Sequence, residues 1–138
     1  MAVTFLGRRR LLGAAPALAL GPSLVMPRVA SAAGNVLVIY IGGWDCPYCV
    51  VWKNENKASW LASDLAKKVR YVEVDPPRLK QAYEQRHWPE DLLPVLAKIP
   101  SKSGTPRFLV VKDGKIVANE FGAGKWPKAL DASKKAVG

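Results

Sequence analysis

The sequence predicts an α/β domain, a minimal four-stranded mixed sheet flanked by helices. Three observations predict it. The run Val36-Leu37-Val38-Ile39-Tyr40-Ile41 is continuously β-branched or apolar and lies between Gly34 and Gly42-Gly43, which suits a strand buried on both faces. Asp113-Gly114 separates two apolar runs, 108–111 and 115–121, a strong hairpin signal. Helical segments alternate with these strands in the order strand, helix, strand, helix, strand, strand, helix.

Taken in order, the first helix begins at Pro47, because the residues after it show no alternation and few breakers, and Asn54 and Asn56 end or bend it. A second short helix over 59–68 is expected to bury Trp60, Leu61 and Leu65. Residues 69–74 alternate and read as a strand, stopped by Asp75-Pro76-Pro77. Residues 78–86 look helical. The stretch 87–104, with Pro89, Pro94, Pro100 and Gly104 around Leu92, Leu93, Val95 and Leu96, reads as an irregular loop with a helical turn. Residues 126–137 close the chain as an amphipathic helix with Leu130 inward. Trp52, Trp60, Trp88 and Trp126 are expected to pack, and His87 to be an ordinary surface or loop histidine.

The first 32 residues read apart from this domain. Arg8, Arg9 and Arg10 open a mostly small and apolar run, Ala30-Ser31-Ala32 has the small-x-small form of a signal-peptidase site, and no acidic residue precedes Asp45. Gly13, Pro16, Gly21 and Pro22 interrupt that run, which makes it a poor membrane span, although a retained anchor stays open. Gly7-Arg8-Arg9-Arg10-Leu11-Leu12-Gly13 resembles a twin-arginine export signal, although an arginine run also serves as the n-region of an ordinary secretory signal. The expected organisation is an export signal peptide over 1–32 and one domain over 33–138, placed in the periplasm, where disulfide chemistry is permitted. Removing 1–32 leaves 106 of the 138 residues and takes away four arginines, so the net charge falls from +10 to +6, with 17 Lys+Arg against 11 Asp+Glu. The lysines are spread without a cluster, and no aromatic–basic interleaving points to nucleic acid.

The chemistry lies in Cys46-Pro47-Tyr48-Cys49, the chain's two cysteines, directly after a predicted strand and at the start of a predicted helix. Pro47 suits the first helical position, where its missing N–H costs nothing. Cys46 then faces the unpaired N–H groups and positive end of the helix, which stabilise a thiolate and make it a nucleophile near neutral pH. Cys49, one turn inward, can attack a mixed disulfide on Cys46 and release the substrate. Other readings are weaker. A purely structural disulfide closing so small a loop removes little unfolded-chain entropy. Zinc needs four ligands, and beside this pair the chain offers only His87 as a further histidine and no second cysteine pair. Haem attachment needs a histidine after the second cysteine, where Val50 stands. No metal and no cofactor is expected.

The strand, Trp44 before the pair, and Cys46-Pro47-Tyr48-Cys49 resemble the active-site turn of the thioredoxin superfamily. The stretch from Gly104 through Thr105-Pro106-Arg107-Phe108 to Asp113-Gly114-Lys115 resembles that superfamily's cis-proline segment and the hairpin after it. The resemblance covers about residues 35–136 and implies a thioredoxin-like fold, with Cys46 and Cys49 catalytic, Pro106 the cis-proline, and the Thr105 backbone pairing with bound substrate. Trp44 and Tyr48, flanking Cys46, are candidate substrate contacts. There are departures. The domain begins at its first central strand, as in the minimal glutaredoxin-like core. Tyr40 stands where thioredoxins bury an acid six positions before the first cysteine, and Tyr71 where they place a lysine. The usual proton shuttle is therefore absent or replaced, and Asp45, the nearest acid, would as a carboxylate oppose thiolate formation at Cys46.

The resemblance implies a thiol–disulfide oxidoreductase acting on protein thiols and disulfides as a monomer. Pro47-Tyr48 is shared with glutaredoxins, but the expected compartment disfavours glutathione. Periplasmic oxidants of this superfamily usually carry a large helical insertion, and the residues from Pro76 to Thr105 are too few for one, which favours a reductant recharged by a membrane electron donor. Small exported relatives that accompany sulfur-oxidation systems carry a similar Cys-Pro-Tyr-Cys-x-x-Trp motif, here Cys46 to Trp52. A disulfide-donating oxidant and a non-enzymatic binding module remain alternatives.

Overall fold

Strand β1 (Val36–Ile41) is buried along its whole length, because alternate side chains supply two cores. Leu37, Ile39 and Ile41 enter one apolar cluster, and Val38 and Tyr40 the other. β2 (Arg70–Val74) runs parallel to it, from Leu37 opposite Arg70 to Ile41 opposite Val74. β3 (Arg107–Lys112) lies antiparallel on its other side, and β4 (Lys115–Phe121) antiparallel to β3, which gives the order β2-β1-β3-β4. This is the four-stranded mixed sheet expected. The computed structural model describes residues 35–102 and 104–138. The expected export segment, residues 1–32, lies outside the described residues, among which no helix is long and apolar enough to cross a membrane.

The parallel β1–β2 pair requires a crossover, and helices supply it. α1 (Pro47–Trp52) widens into a π turn (Lys53–Lys57) and continues as α2 (Ala58–Ala62). The bend expected at Asn54 and Asn56 thus takes the form of a wider helical turn rather than a stop. Ser63 ends the run. Its backbone is extended and its hydroxyl accepts the Ala66 N–H at 3.1 Å, capping α3 (Asp64–Lys67). The single helix expected over 59–68 is therefore two pieces, and Leu61 is a correction: it is 49 % exposed, while Trp60 is buried and Leu65 packs at the edge of the core.

The second core face is covered by residues between β2 and β3. The helix expected over 78–86 is replaced by two 3-10 turns, Leu79–Gln81 and Gln85–His87. Glu84 is extended and separates them, and tertiary contacts anchor the turns. The Asp45 carboxylate takes the Leu79 N–H at 2.6 Å, and the Trp88 indole donates to the Ala82 carbonyl at 2.8 Å. The helical turn expected in 87–104 is a 3-10 turn (Glu90–Leu92) leading into α4 (Leu93–Lys98), which buries Val95 and Leu96. α5 (Trp126–Val137) follows β4 and buries Trp126, Ala129, Ser133 and Ala136, spaced three or four apart, with Leu130 half-buried beside them. All four tryptophans expected to pack are buried.

At the hairpin, Asp113 (φ 50°) and Gly114 (φ 78°) both adopt left-handed backbone, the geometry that joins twisted antiparallel strands through two residues. Gly114 has open space around it, so its requirement is conformational and not steric. Gly114→Ala is expected to lower stability by about 1 kcal/mol in urea unfolding. Gly124→Ala, where the space is equally open and φ is not positive, is the control expected to stay within about 0.5 kcal/mol. Equal midpoints for the two variants would contradict the turn assignment.

Candidate active site

The site lies at the end of β1, where the sheet hands over to α1. Ladder-like bonds continue past the strand: the Gly42 N–H donates to the Val74 carbonyl at 2.9 Å and the Trp44 N–H to the Pro76 carbonyl at 3.0 Å. Gly43 is required by packing. A Cβ there would fall 2.6 Å from the Leu79 Cα, so its absence lets the Leu79 turn close against the loop before Cys46. Cys46 is the N-cap of α1, with extended backbone, and Pro47 occupies the first turn.

Cys46 and Cys49 are joined in a disulfide, with Cα atoms 5.2 Å apart. Two donors converge on the Cys46 Sγ. The Cys49 N–H donates to it at 3.2 Å, and the Thr105 Oγ1 lies 3.3 Å away. A disulfide sulfur has no proton, so the Thr105 hydroxyl is the donor in that contact. Cys46 is 2 % exposed and Cys49 0 %. The sulfur of Cys46 is thus buried in the disulfide form, with Thr105 and the first helical turn against it.

The structure brings Cys46, Cys49, Thr105 and Pro106 together. Pro106 is fully buried at the entrance to β3, and the Thr105–Pro106 peptide bond is cis. Trp44 and Tyr48 stand on either side of Cys46 in sequence and are 65 % and 68 % exposed, giving the site an apolar rim. Asp45 is occupied elsewhere, on the Leu79 N–H. Among the described residues no three of His, Cys, Asp and Glu come together as a metal site.

Beneath the disulfide, the Cys49 helix packs on an aromatic cluster. Trp52 stacks on Tyr40 (centroids 4.7 Å apart) and meets Phe108 at 5.2 Å and Trp126 edge-on at 5.1 Å. Tyr40, in the position where thioredoxins bury an acid, has a buried hydroxyl with no hydrogen-bond partner. Burial, then the negative charges of Asp75 and Glu73, push its phenol far above the ordinary value. Tyr71 is pushed up likewise by burial and by Glu73, to which its hydroxyl donates at 2.9 Å. Both stay neutral near pH 7, so neither is a proton acceptor there. The charges between this helix and β2 are Lys53 paired with Asp75 and Lys57 paired with Glu73, the latter at 2.8 Å.

One site neighbour was not legible. Arg107, directly after Pro106, is 0 % exposed. Its guanidinium donates to Asn119 Oδ1 at 2.7 Å, to the Tyr83 hydroxyl at 3.3 Å and to the Ser101 carbonyl, and it lies 4.2 Å over the Phe121 ring. Its Nη2 is buried without a partner, and no ion pair with a carboxylate neutralises it among the described residues. The only local signal is a cation between a proline and an apolar run, and its partners Asn119 and Tyr83 lie far away in sequence.

No family model and no curated protein matches the chain. Solved structures do. The periplasmic thioredoxin SoxS from Paracoccus pantotrophus, in its reduced form, superposes with a TM-score of 0.53 at 15 % identity, covering 74 % of this chain and 99 % of that one. The chain has the thioredoxin fold. The short form of spinach chloroplast thioredoxin f gives 0.51 at 21 % identity, covering 84 % and 88 % of the two chains. Malassezia sympodialis thioredoxin gives 0.51 at 18 %, covering 78 % and 82 %. Within that fold Cys46, Cys49, Thr105 and Pro106 sit at one end of the two central strands.

The unpartnered Tyr40 hydroxyl yields a prediction. Tyr40→Phe removes a buried polar group that gains nothing, so stability at pH 7 is expected to hold or rise by about 1 kcal/mol. With phenol values raised in the folded state, stability from Tyr40 and Tyr71 is complete below pH about 10 and is lost as the unfolded chain ionises above it. Denaturant midpoints measured between pH 8 and 11 should therefore fall less steeply in Tyr40→Phe than in the parent. A large loss of stability at pH 7 would show that the hydroxyl has a partner after all.

Proposed function

We propose that this chain is a periplasmic protein thiol–disulfide oxidoreductase in which Cys46 attacks and Cys49 resolves. The observation that carries the reading is the convergence of the Cys49 N–H and the Thr105 hydroxyl on the Cys46 Sγ. In the reduced protein the same two donors stabilise a Cys46 thiolate. That thiolate attacks one sulfur of a substrate disulfide, and the substrate's other sulfur leaves as a thiolate that takes up a proton. Cys49, deprotonated, then attacks the Cys46 sulfur, restoring the Cys46–Cys49 bridge and releasing the second substrate thiol. Two electrons pass to the substrate.

Direction and place belong to the same proposal. Among the described residues, the stretch between β2 and β3 holds 3-10 turns and the six-residue α4, without the large helical insertion usual in periplasmic oxidants, which supports a reductant. The oxidised pair then needs a dithiol donor, and a membrane electron donor is the partner proposed. Arg8-Arg9-Arg10 and Ala30-Ser31-Ala32 support export, by the twin-arginine route, with residues 1–32 cleaved. SoxS, a periplasmic thioredoxin, supports the same compartment. The exposed Trp44 and Tyr48 and the half-buried Thr105 are the surfaces proposed to meet the substrate, beside Pro106.

Cys49→Ser is expected to accumulate partners linked through Cys46, because the mixed disulfide has lost its resolving thiol. Cys46→Ser is expected to accumulate none. Non-reducing gels of envelope fractions, with the adduct site mapped by mass spectrometry, decide the matter. Adducts on Cys49 in Cys46→Ser, and none on Cys46 in Cys49→Ser, would reverse the roles.

A further inference from the structure

Beside the disulfide the surface opens into a groove of about 500 Å³ between the Leu79–Gln81 turn and the segment before β3. Asp45, Lys80, Tyr83, Lys102 and Thr105 line it. One end of the groove is chemical: Thr105 touches the Cys46 sulfur, and Asp45 is its chain neighbour. A segment lying in the groove therefore approaches the reacting cysteine.

The charge of the groove is one-sided. Lys80 and Lys102 are exposed and belong to none of the ion pairs among the described residues. The single carboxylate on the walls, Asp45, is held by the Leu79 N–H. Tyr83 contributes a neutral hydroxyl, which burial pushes above its ordinary value against the opposing effect of Arg107. That hydroxyl donates to the Gly104 carbonyl at 2.8 Å and receives the Arg107 guanidinium, so the buried, unneutralised cation lies one contact behind the wall. Two free ammonium groups and a buried guanidinium against one engaged carboxylate make a positive trough.

We propose that this groove is a specificity subsite that selects protein segments carrying carboxylates within a few residues of the reacting cysteine. The inference rests on the oxidoreductase reading and names its substrate class. Exposed lysines contribute here through encounter and register more than through affinity, so the effect belongs to the second-order rate of exchange and shrinks with salt. Lys80 and Lys102 are positioning residues and touch no reacting atom.

The test uses the reduced full-length protein and disulfide-linked peptides of one length. Each peptide has two Glu, two Gln or two Lys residues on the N-terminal or the C-terminal side of its cysteine. In single-turnover reduction at low ionic strength, one of the Glu peptides is expected to react about tenfold faster than its Gln counterpart and the Lys peptide slower still, with the spread collapsing at about 0.5 M salt. In the double variant Lys80→Gln, Lys102→Gln the Glu-to-Gln rate ratio should fall to about one. Uniform rates in the parent, or a preference that survives in the double variant, overturn the subsite while leaving the oxidoreductase reading standing. No reaction with any peptide overturns both. Glutathione disulfide is the separate arm, since it also brings carboxylates: reduction as fast as the best Glu peptide, with the same loss in the double variant, would make the groove a small-thiol site and overturn the assignment to protein segments.

Discussion

The position of the cysteine pair depends on how Trp52 is buried. Trp52 is 0 % exposed, one turn beyond Cys49, and its ring is held by Tyr40 from β1, Phe108 from β3 and Trp126 from α5. Each ring buries a large apolar area and meets its neighbours in stacked, tilted or edge-on geometry, which adds to the burial itself. The contact fixes α1 against both central strands at once. Because β3 starts next to the end of β1, with Ile41 opposite Arg107, the same seating brings the first turn of α1 beside Thr105 and Pro106. The approach of the Thr105 hydroxyl to Cys46 follows from this packing, while the Cys49 N–H reaches the same sulfur through the cap of α1.

The polar groups around that apolar centre divide into two sets. On the β2 side, Lys53 and Lys57 pair with Asp75 and Glu73, and the two tyrosines that stand where thioredoxins have an acid and a lysine remain neutral. The helix bearing Cys49 is thus lined by paired charges and a phenol that cannot take a proton near neutral pH. On the β3 side, Arg107 keeps its charge in a fully buried place through hydrogen bonds and the Phe121 ring, without a carboxylate. A buried cation without an ionic partner is costly unless its donors are satisfied, and here two carbonyl oxygens and a hydroxyl satisfy most of them. The two sides give the site an electrostatic asymmetry, neutralised behind Cys49 and positive along the groove that runs from Cys46.

Much of this was legible in the sequence, for local reasons. The strand at Val36–Ile41 announces itself because burial on both faces demands an unbroken apolar run, and the hairpin because left-handed backbone demands residues such as Asp113 and Gly114. Cys46-Pro47-Tyr48-Cys49 is legible as a strand-to-helix turn because Pro47 fits the first helical position. The misreadings are all tertiary. Residues 78–86 have helical composition, yet Glu84 is extended and divides the stretch, and the Trp88 indole takes the Ala82 carbonyl that a helix would use for itself. Leu61 follows Trp60 on the helix but is turned to solvent, because one step along the helix is a rotation of about 100° and Trp60 takes the core-facing position. Arg107 looks like a boundary residue, and only the approach of Asn119, Tyr83 and Ser101 makes it an interior one.

The central claim is that Cys46 and Cys49 form an exchangeable two-electron couple on the reducing side. Equilibrating the protein across glutathione redox buffers, and reading the fraction of disulfide by acid quench and alkylation, tests it most directly. The account predicts one reversible two-electron transition near the thioredoxin value, about −270 mV. A transition near about −120 mV would reverse the electron flow, and a pair that does not cycle would contradict disulfide exchange as the function.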